Sequence, residues 1–108
     1  MTKSAFYDGA ILKVTQWWLH ECDLPILRWA RLRCFSNGTA DVTWDERGTT
    51  YGFRTPTFAE FFLAEDEYVP IDNLNDAHQK ELGIDLSNVA RPNWTDIDAQ
   101  HFEYLGSY

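Results

Sequence analysis

The segment ILRWARLRCFSNGTADVTWDERGTTYGF, residues 26–53, decides the fold. From Ile26 to Phe35 the chain alternates, with Ile26, Ala30, Leu32 and Cys34 on one parity and Trp29, Arg31 and Arg33 on the other. A period of two is the signature of a strand, because successive side chains point to opposite faces of a sheet. The turn residues Ser36-Asn37-Gly38 follow, and then a second run with Ala40, Val42 and Trp44 in phase. A further turn around Glu46-Arg47-Gly48-Thr49 leads into Tyr51 and Phe53. Three such runs joined by short polar turns predict a three-stranded antiparallel meander.

Register follows from the requirement that faces agree across each pair. A two-residue Asn37-Gly38 loop sets Arg33 beside Val42 and Arg31 beside Trp44, which buries arginines. A three-residue loop with Gly38 left-handed instead pairs Cys34 with Ala40, Leu32 with Val42 and Ala30 with Trp44. It also sets Arg33 opposite Asp41, so that one register buries apolar groups and pairs charges together. At the second turn, pairing Asp45 with Thr50 brings Trp44 to Tyr51 and Val42 to Phe53. The resulting apolar face needs a cover.

Two flanking segments are expected to supply it. Ala10–Cys22 places Ile11, Val14, Trp18 and Cys22 at steps of three and four, with Asp8 ahead as a cap and Leu24-Pro25 closing the segment. That spacing predicts an amphipathic helix. Thr55-Pro56-Thr57 offers a cap for a second helix over Thr57–Glu65 that carries Phe58, Phe61 and Phe62. Tyr68-Val69-Pro70-Ile71 reads as extended, and Asn75–Leu82 followed by Gly83 as a two-turn helix with a glycine stop. Thr95 and Asp98 suit the start of a last short helix carrying Ile97, His101, Tyr104 and Leu105. The expected fold is thus one α+β domain over residues 1–108: a three-stranded antiparallel meander sheet covered on one face by two or more short helices.

Composition bounds the rest. At 108 residues the chain has the size of one domain, and its 16% aromatic content implies a core built mainly from rings. Residues 1–54 hold seven bases and six acids, whereas residues 55–108 hold two bases and eleven acids, for a formal charge of −8 overall. That balance argues against nucleic acid and anionic membrane as partners and favours a basic one. Met1-Thr2-Lys3-Ser4 runs straight into mixed sequence and no apolar run approaches the length of a bilayer span, so neither a signal peptide nor a membrane span is expected. With two cysteines only, Cys22 and Cys34, reduced thiols and a cytoplasmic location are expected.

Three stretches could carry chemistry. His20-Glu21-Cys22-Asp23 aligns four metal-ligand types, but zinc sites need paired ligands and no second cluster accompanies it. No nucleophile elbow, phosphate-cradling glycine loop or HExxH helix appears, so an enzyme is the less favoured reading and neither cofactor nor metal is expected. Glu65-Asp66-Glu67-Tyr68, with Asp72 beyond, is the densest acidic stretch, and acids at a helix C-terminus oppose the helix dipole. Residues that break a local rule suggest a role in binding. Arg31 and Arg33 share the outer strand face with Trp29, where a nucleic-acid strip is conceivable but cross-strand pairing with Asp41 accounts for them better.

The sequence therefore points to a small acidic interaction module, an adaptor, regulator or inhibitor, docking on a basic protein through Glu65, Asp66, Glu67, Tyr68, Asp72 and Trp29. A homo-oligomer using Trp29 is a further candidate assembly. The alternative is a small enzyme or metal-binding protein that uses His20 and Cys22 or the acidic loop at residues 65–67.

Overall fold

A computed structural model describes residues 1–94 and 100–107. Six strands form one sheet: β1 (Leu12–His20), β2 (Trp29–Phe35), β3 (Ala40–Thr43), β4 (Thr49–Phe53), β5 (Tyr68–Pro70) and β6 (His101–Gly106), in the spatial order β5-β1-β2-β3-β4-β6. Three α-helices accompany them: α1 (Lys3–Tyr7), α2 (Pro56–Glu65) and α3 (Asp76–Leu82). Neighbouring strands are antiparallel except β4 and β6, which run parallel. The architecture is α+β, but the sheet is six-stranded and mixed, which corrects the expected three-stranded meander.

Two misread segments account for the difference. Residues 12–20 form the longest strand of the sheet instead of a helix, with β1 lying between β2 and β5. Val14, Gln16, Trp18 and His20 share one face, and Thr15, Trp17 and Leu19 the other. Trp18 and Leu19 are both buried although they point to opposite faces, because the sheet is covered on both sides there. At the other end, His101–Gly106 is a strand, not the end of a last helix. The proposed cap and first turn of that helix, Thr95, Ile97 and Asp98, lie outside the described residues.

Between β2 and β3 the register pairs Cys34 with Ala40, Leu32 with Val42 and Arg33 with Asp41. Between β3 and β4 it pairs Val42 with Tyr51 and Ala40 with Phe53, two residues away from the expected Val42–Phe53 pairing. The turn is centred one residue earlier than expected: the Trp44 N–H donates to the Thr49 carbonyl (3.3 Å) across residues 45–48, and the Asp45 carboxylate organises that loop by accepting from the backbone N–H of Arg47 (3.0 Å) and of Thr49 (3.1 Å). A slip of two leaves every side chain on its expected face.

The α2 helix covers one face. It starts where the Thr55 hydroxyl accepts from the Phe58 N–H, with Pro56 at the first helical position. Its Ala59 and Leu63 are fully buried on Ala30, Leu32, Ala40, Val42 and Phe53. The small residues let the helix approach the sheet closely, and each large apolar side chain sealed here stabilises by about 1.5–3 kcal/mol. Trp44, Tyr51 and Phe62 pack round this cluster, with Trp44 and Phe62 stacked at 5.0 Å.

The opposite face is covered as well. Phe6 of α1 is buried and meets Phe35, Phe102 and Tyr104 at centroid distances of 6.4, 5.1 and 5.8 Å. A Cβ on Gly52 would come within 2.7 Å of the Phe102 ring and 2.9 Å of the Phe6 ring, so glycine is what lets those rings lie on β4. Farther along, Trp17 packs edge-on against Trp29 and Trp94. The α3 helix begins with the Asn75 side chain accepting from His78 N–H (2.9 Å) and ends at left-handed Gly83, as its sequence predicts. Among the described residues no helix is long and apolar enough to cross a membrane.

Candidate functional site

The acidic residues gather where β1 ends and β5 begins. After β1 the chain makes a single 3₁₀ turn over Glu21–Asp23. After α2 it reverses through Asp66 and Glu67, and Glu67 adopts φ +62°, a left-handed conformation that non-glycine residues rarely take. Because β5 then runs antiparallel to β1, the Glu21 N–H donates to the Glu67 carbonyl (2.9 Å) and the Cys22 thiol donates to the Glu67 carboxylate. That bond, with the nearby acids, pushes the Cys22 thiol above its ordinary pKa. A thiol held protonated is a poor nucleophile and a poor metal ligand.

Two shallow cavities meet along β5. One, of about 270 Å³, lies between the β1 end and α3 and is lined by Glu21, Val69, Leu74, His78, Glu81 and Leu82 among others. The second, of about 360 Å³, is lined by Glu21, Cys22, Ala64, Glu67, Tyr68 and Val69. Glu21 and Val69 belong to both, so the two form one groove with an apolar floor and a rim of Glu21, Glu67 and Glu81. Among the described residues none of these three glutamates forms an ion pair with a base. Carboxylates on an apolar floor suit a lysine or arginine, whose stem is hydrocarbon and whose head is cationic.

The residues singled out from sequence separate in space. Glu65, Asp66, Glu67 and Asp72 are exposed. Tyr68 is only 5% exposed, stacked on Trp44 and edge-on to His20, so its ring belongs to the core. Trp29 is half-buried on the opposite face of the sheet, against Trp17, and is not brought to the acidic loop. Glu21, which the sequence marks only as one of four metal-ligand types, and Glu81, which it does not mark at all, join the rim because only the folded chain brings them to Glu67. His20 Nδ1 lies 3.2 Å from Asp23 Oδ2 but off a hydrogen-bonding direction, and Asp23 is held instead by Arg28 at 2.9 Å. Among the described residues no three of His, Cys, Asp and Glu converge in a metal-binding arrangement.

The second polar feature contains the expected cross-strand pairing of Arg33 with Asp41, but it is sealed inside the fold instead of lying on an outer face. Arg31 is 2% exposed and Asp41 fully buried, on the face covered by α1 and Trp94. Asp41 accepts from Arg33 through Nε (3.0 Å) and Nη2 (2.5 Å), and from the Tyr7 hydroxyl (2.6 Å). Arg31 donates through Nη1 to the Trp94 carbonyl and through Nη2 to Thr43 Oγ1 (3.2 Å), which is bonded to Thr50 Oγ1 (2.8 Å). Burial lowers the Arg31 pKa, whereas the bonds to Asp41 outweigh burial and raise that of Arg33. Burial and the Asp41 charge together push the Tyr7 hydroxyl far above its ordinary pKa.

No protein-family model, no curated protein and no solved structure matches the chain.

Proposed function

We propose that the chain is a non-enzymatic interaction module that docks a basic segment of a cytoplasmic partner protein in the groove along β5. The observation that carries this reading is the convergence of Glu21, Glu67 and Glu81, from three separate elements, over the apolar floor of Val69, Leu74 and Leu82. Exposed Glu65, Asp66 and Asp72 extend the negative field around that groove. A field of one sign speeds encounter with a cationic partner and discriminates against anionic ones, and the apolar floor adds burial once contact is made. Both cysteines are free thiols, which suits a reducing compartment.

Capture from lysate at low and at high salt tests the proposal when two baits are compared. The first is the native chain. The second is the variant Glu21→Gln/Glu67→Gly/Glu81→Gln, which removes three charges and leaves the backbone at ease, because glycine accepts the φ of +62° at residue 67. A basic protein held by the native chain at low salt, released at high salt and not held by the variant supports docking in the groove. Equal capture by both baits overturns it.

A second copy of the chain is the other partner that the surface favours. β5 pairs only with Trp18–His20, so the outer edge of β1 from Leu12 to Gln16 has no described neighbour, and Ile11, Leu12 and Val14 beside it are exposed. Sedimentation over a range of concentrations tests this: a mass that doubles on concentrating the chain, and fails to double in Val14→Lys, supports it, and a constant monomer mass removes it.

A further inference from the structure

We infer that the β1–β2 face holds a site for a small free carboxylic acid, independent of the groove along β5. A cavity of about 320 Å³ opens there, lined by Leu12, Thr15, Trp17, Arg31, Arg33 and Pro92. Its volume is at the lower end of the range for small-molecule sites.

Three observations fix the ligand's chemistry. The first is unspent charge. Arg31 and Arg33 lie beside a single buried acid, Asp41, and Arg33 with Tyr7 takes up both oxygens of that carboxylate. Arg31 is held by a carbonyl and a hydroxyl alone, and its buried Nε has no hydrogen-bond partner among the described residues. A buried guanidinium without a counter-ion is costly, and the cluster as described carries one positive charge in excess.

The second is shape. A guanidinium offers its N–H groups in a planar fork that matches a carboxylate. The third is the remaining lining: the Trp17 ring, Pro92 and Leu12 present an apolar wall, while exposed Thr15 stands among the lining residues with a hydroxyl. One excess positive charge beside an aromatic wall fits a monoanion with an aryl or alkyl body. A phosphate dianion fits worse, since the molecule as a whole bears a charge of −8.

Titration of the ¹⁵N-labelled chain tests the site, with benzoate as the probe and benzamide and inorganic phosphate as controls. The Trp17 indole N–H and the Arg31 Nε–H are the reporters. Benzoate is expected to shift both saturably, benzamide to shift neither, and phosphate to bind more weakly than benzoate. Thr15→Glu, a change at an exposed position that sets a competing carboxylate beside the arginines, is expected to weaken benzoate by about tenfold with the fold intact. Arg31→Lys, which keeps the charge and loses the fork, is expected to weaken it as well. An absence of saturation, an equal response to benzamide, tighter binding of phosphate, or unchanged affinity in Thr15→Glu each overturns the assignment.

Discussion

Arg33 and Asp41 face each other across β2 and β3, and the guanidinium holds the fully buried carboxylate with two hydrogen bonds of 3.0 and 2.5 Å. The pair fixes the register of the central hairpin, because a slip of one residue would set the arginine on the apolar face under α2. Arg33→Met leaves Asp41 with the Tyr7 hydroxyl and without its cation. Removing one partner of a buried pair strands the other charge, so the variant should lose about 3–5 kcal/mol of stability. Urea denaturation of the two proteins checks this; a loss below about 1 kcal/mol, the value of an exposed pair, would show that the carboxylate reaches water.

Tyr7 gives the same cluster a pH signature. Its pKa is raised in the folded chain by burial and by Asp41, so the folded state keeps a proton that the unfolded state releases. The unfolded state thus binds fewer protons as pH climbs past the ordinary tyrosine value, and stability falls from about pH 10 upward. Absorbance at the phenolate band should show Tyr7 ionising only as the chain unfolds, and Tyr7→Phe should remove that part of the alkaline loss.

Gly52 sits beneath the Phe6 and Phe102 rings. Gly52→Ala should destabilise by about 1–3 kcal/mol through overpacking, although alanine suits a strand better than glycine. Thermal melts of Gly52→Ala and of Gly52→Ala/Phe102→Leu check the cause: the second change should recover part of the loss if the ring contact produces it.

Cys22 is exposed but bonded to Glu67, which holds its thiol protonated above the usual range. Glu67→Ala removes that bond and the nearest negative charge, so the thiolate fraction at mildly alkaline pH rises. Iodoacetamide should then modify Cys22 several times faster than in the native chain, and an unchanged rate would show that the Glu67 contact does not control the thiol.

How far the sequence foretells this molecule depends on which residues are asked. Helix signals written in local chemistry hold: Thr55-Pro56 starts α2, and Asn75 and Gly83 bound α3. Ala10–Cys22 misleads because Val14, Trp18 and Cys22 are four apart, a spacing common to one face of a helix and one face of a strand. The test that separates the two, polar against apolar alternation, fails where both sheet faces are covered, as for Trp18 and Leu19. In the last strand, Phe102 and Tyr104 do alternate, and that signal was available beside the competing His101–Leu105 spacing. The acidic groove was only partly legible: Glu65, Asp66, Glu67 and Asp72 stand out as a run, but Glu21 and Glu81 reach Glu67 only through the pairing of β5 with β1 and the placing of α3.

The measurement closest to the central claim is a ¹⁵N titration of the native chain with a short amphipathic peptide of lysine and leucine, at low and at high salt. The account predicts saturable shifts at Glu21, Val69, Leu74 and Glu81 that weaken steeply as salt shortens the screening length. Shifts centred on any other face, or shifts at the groove that salt leaves unchanged, would contradict it.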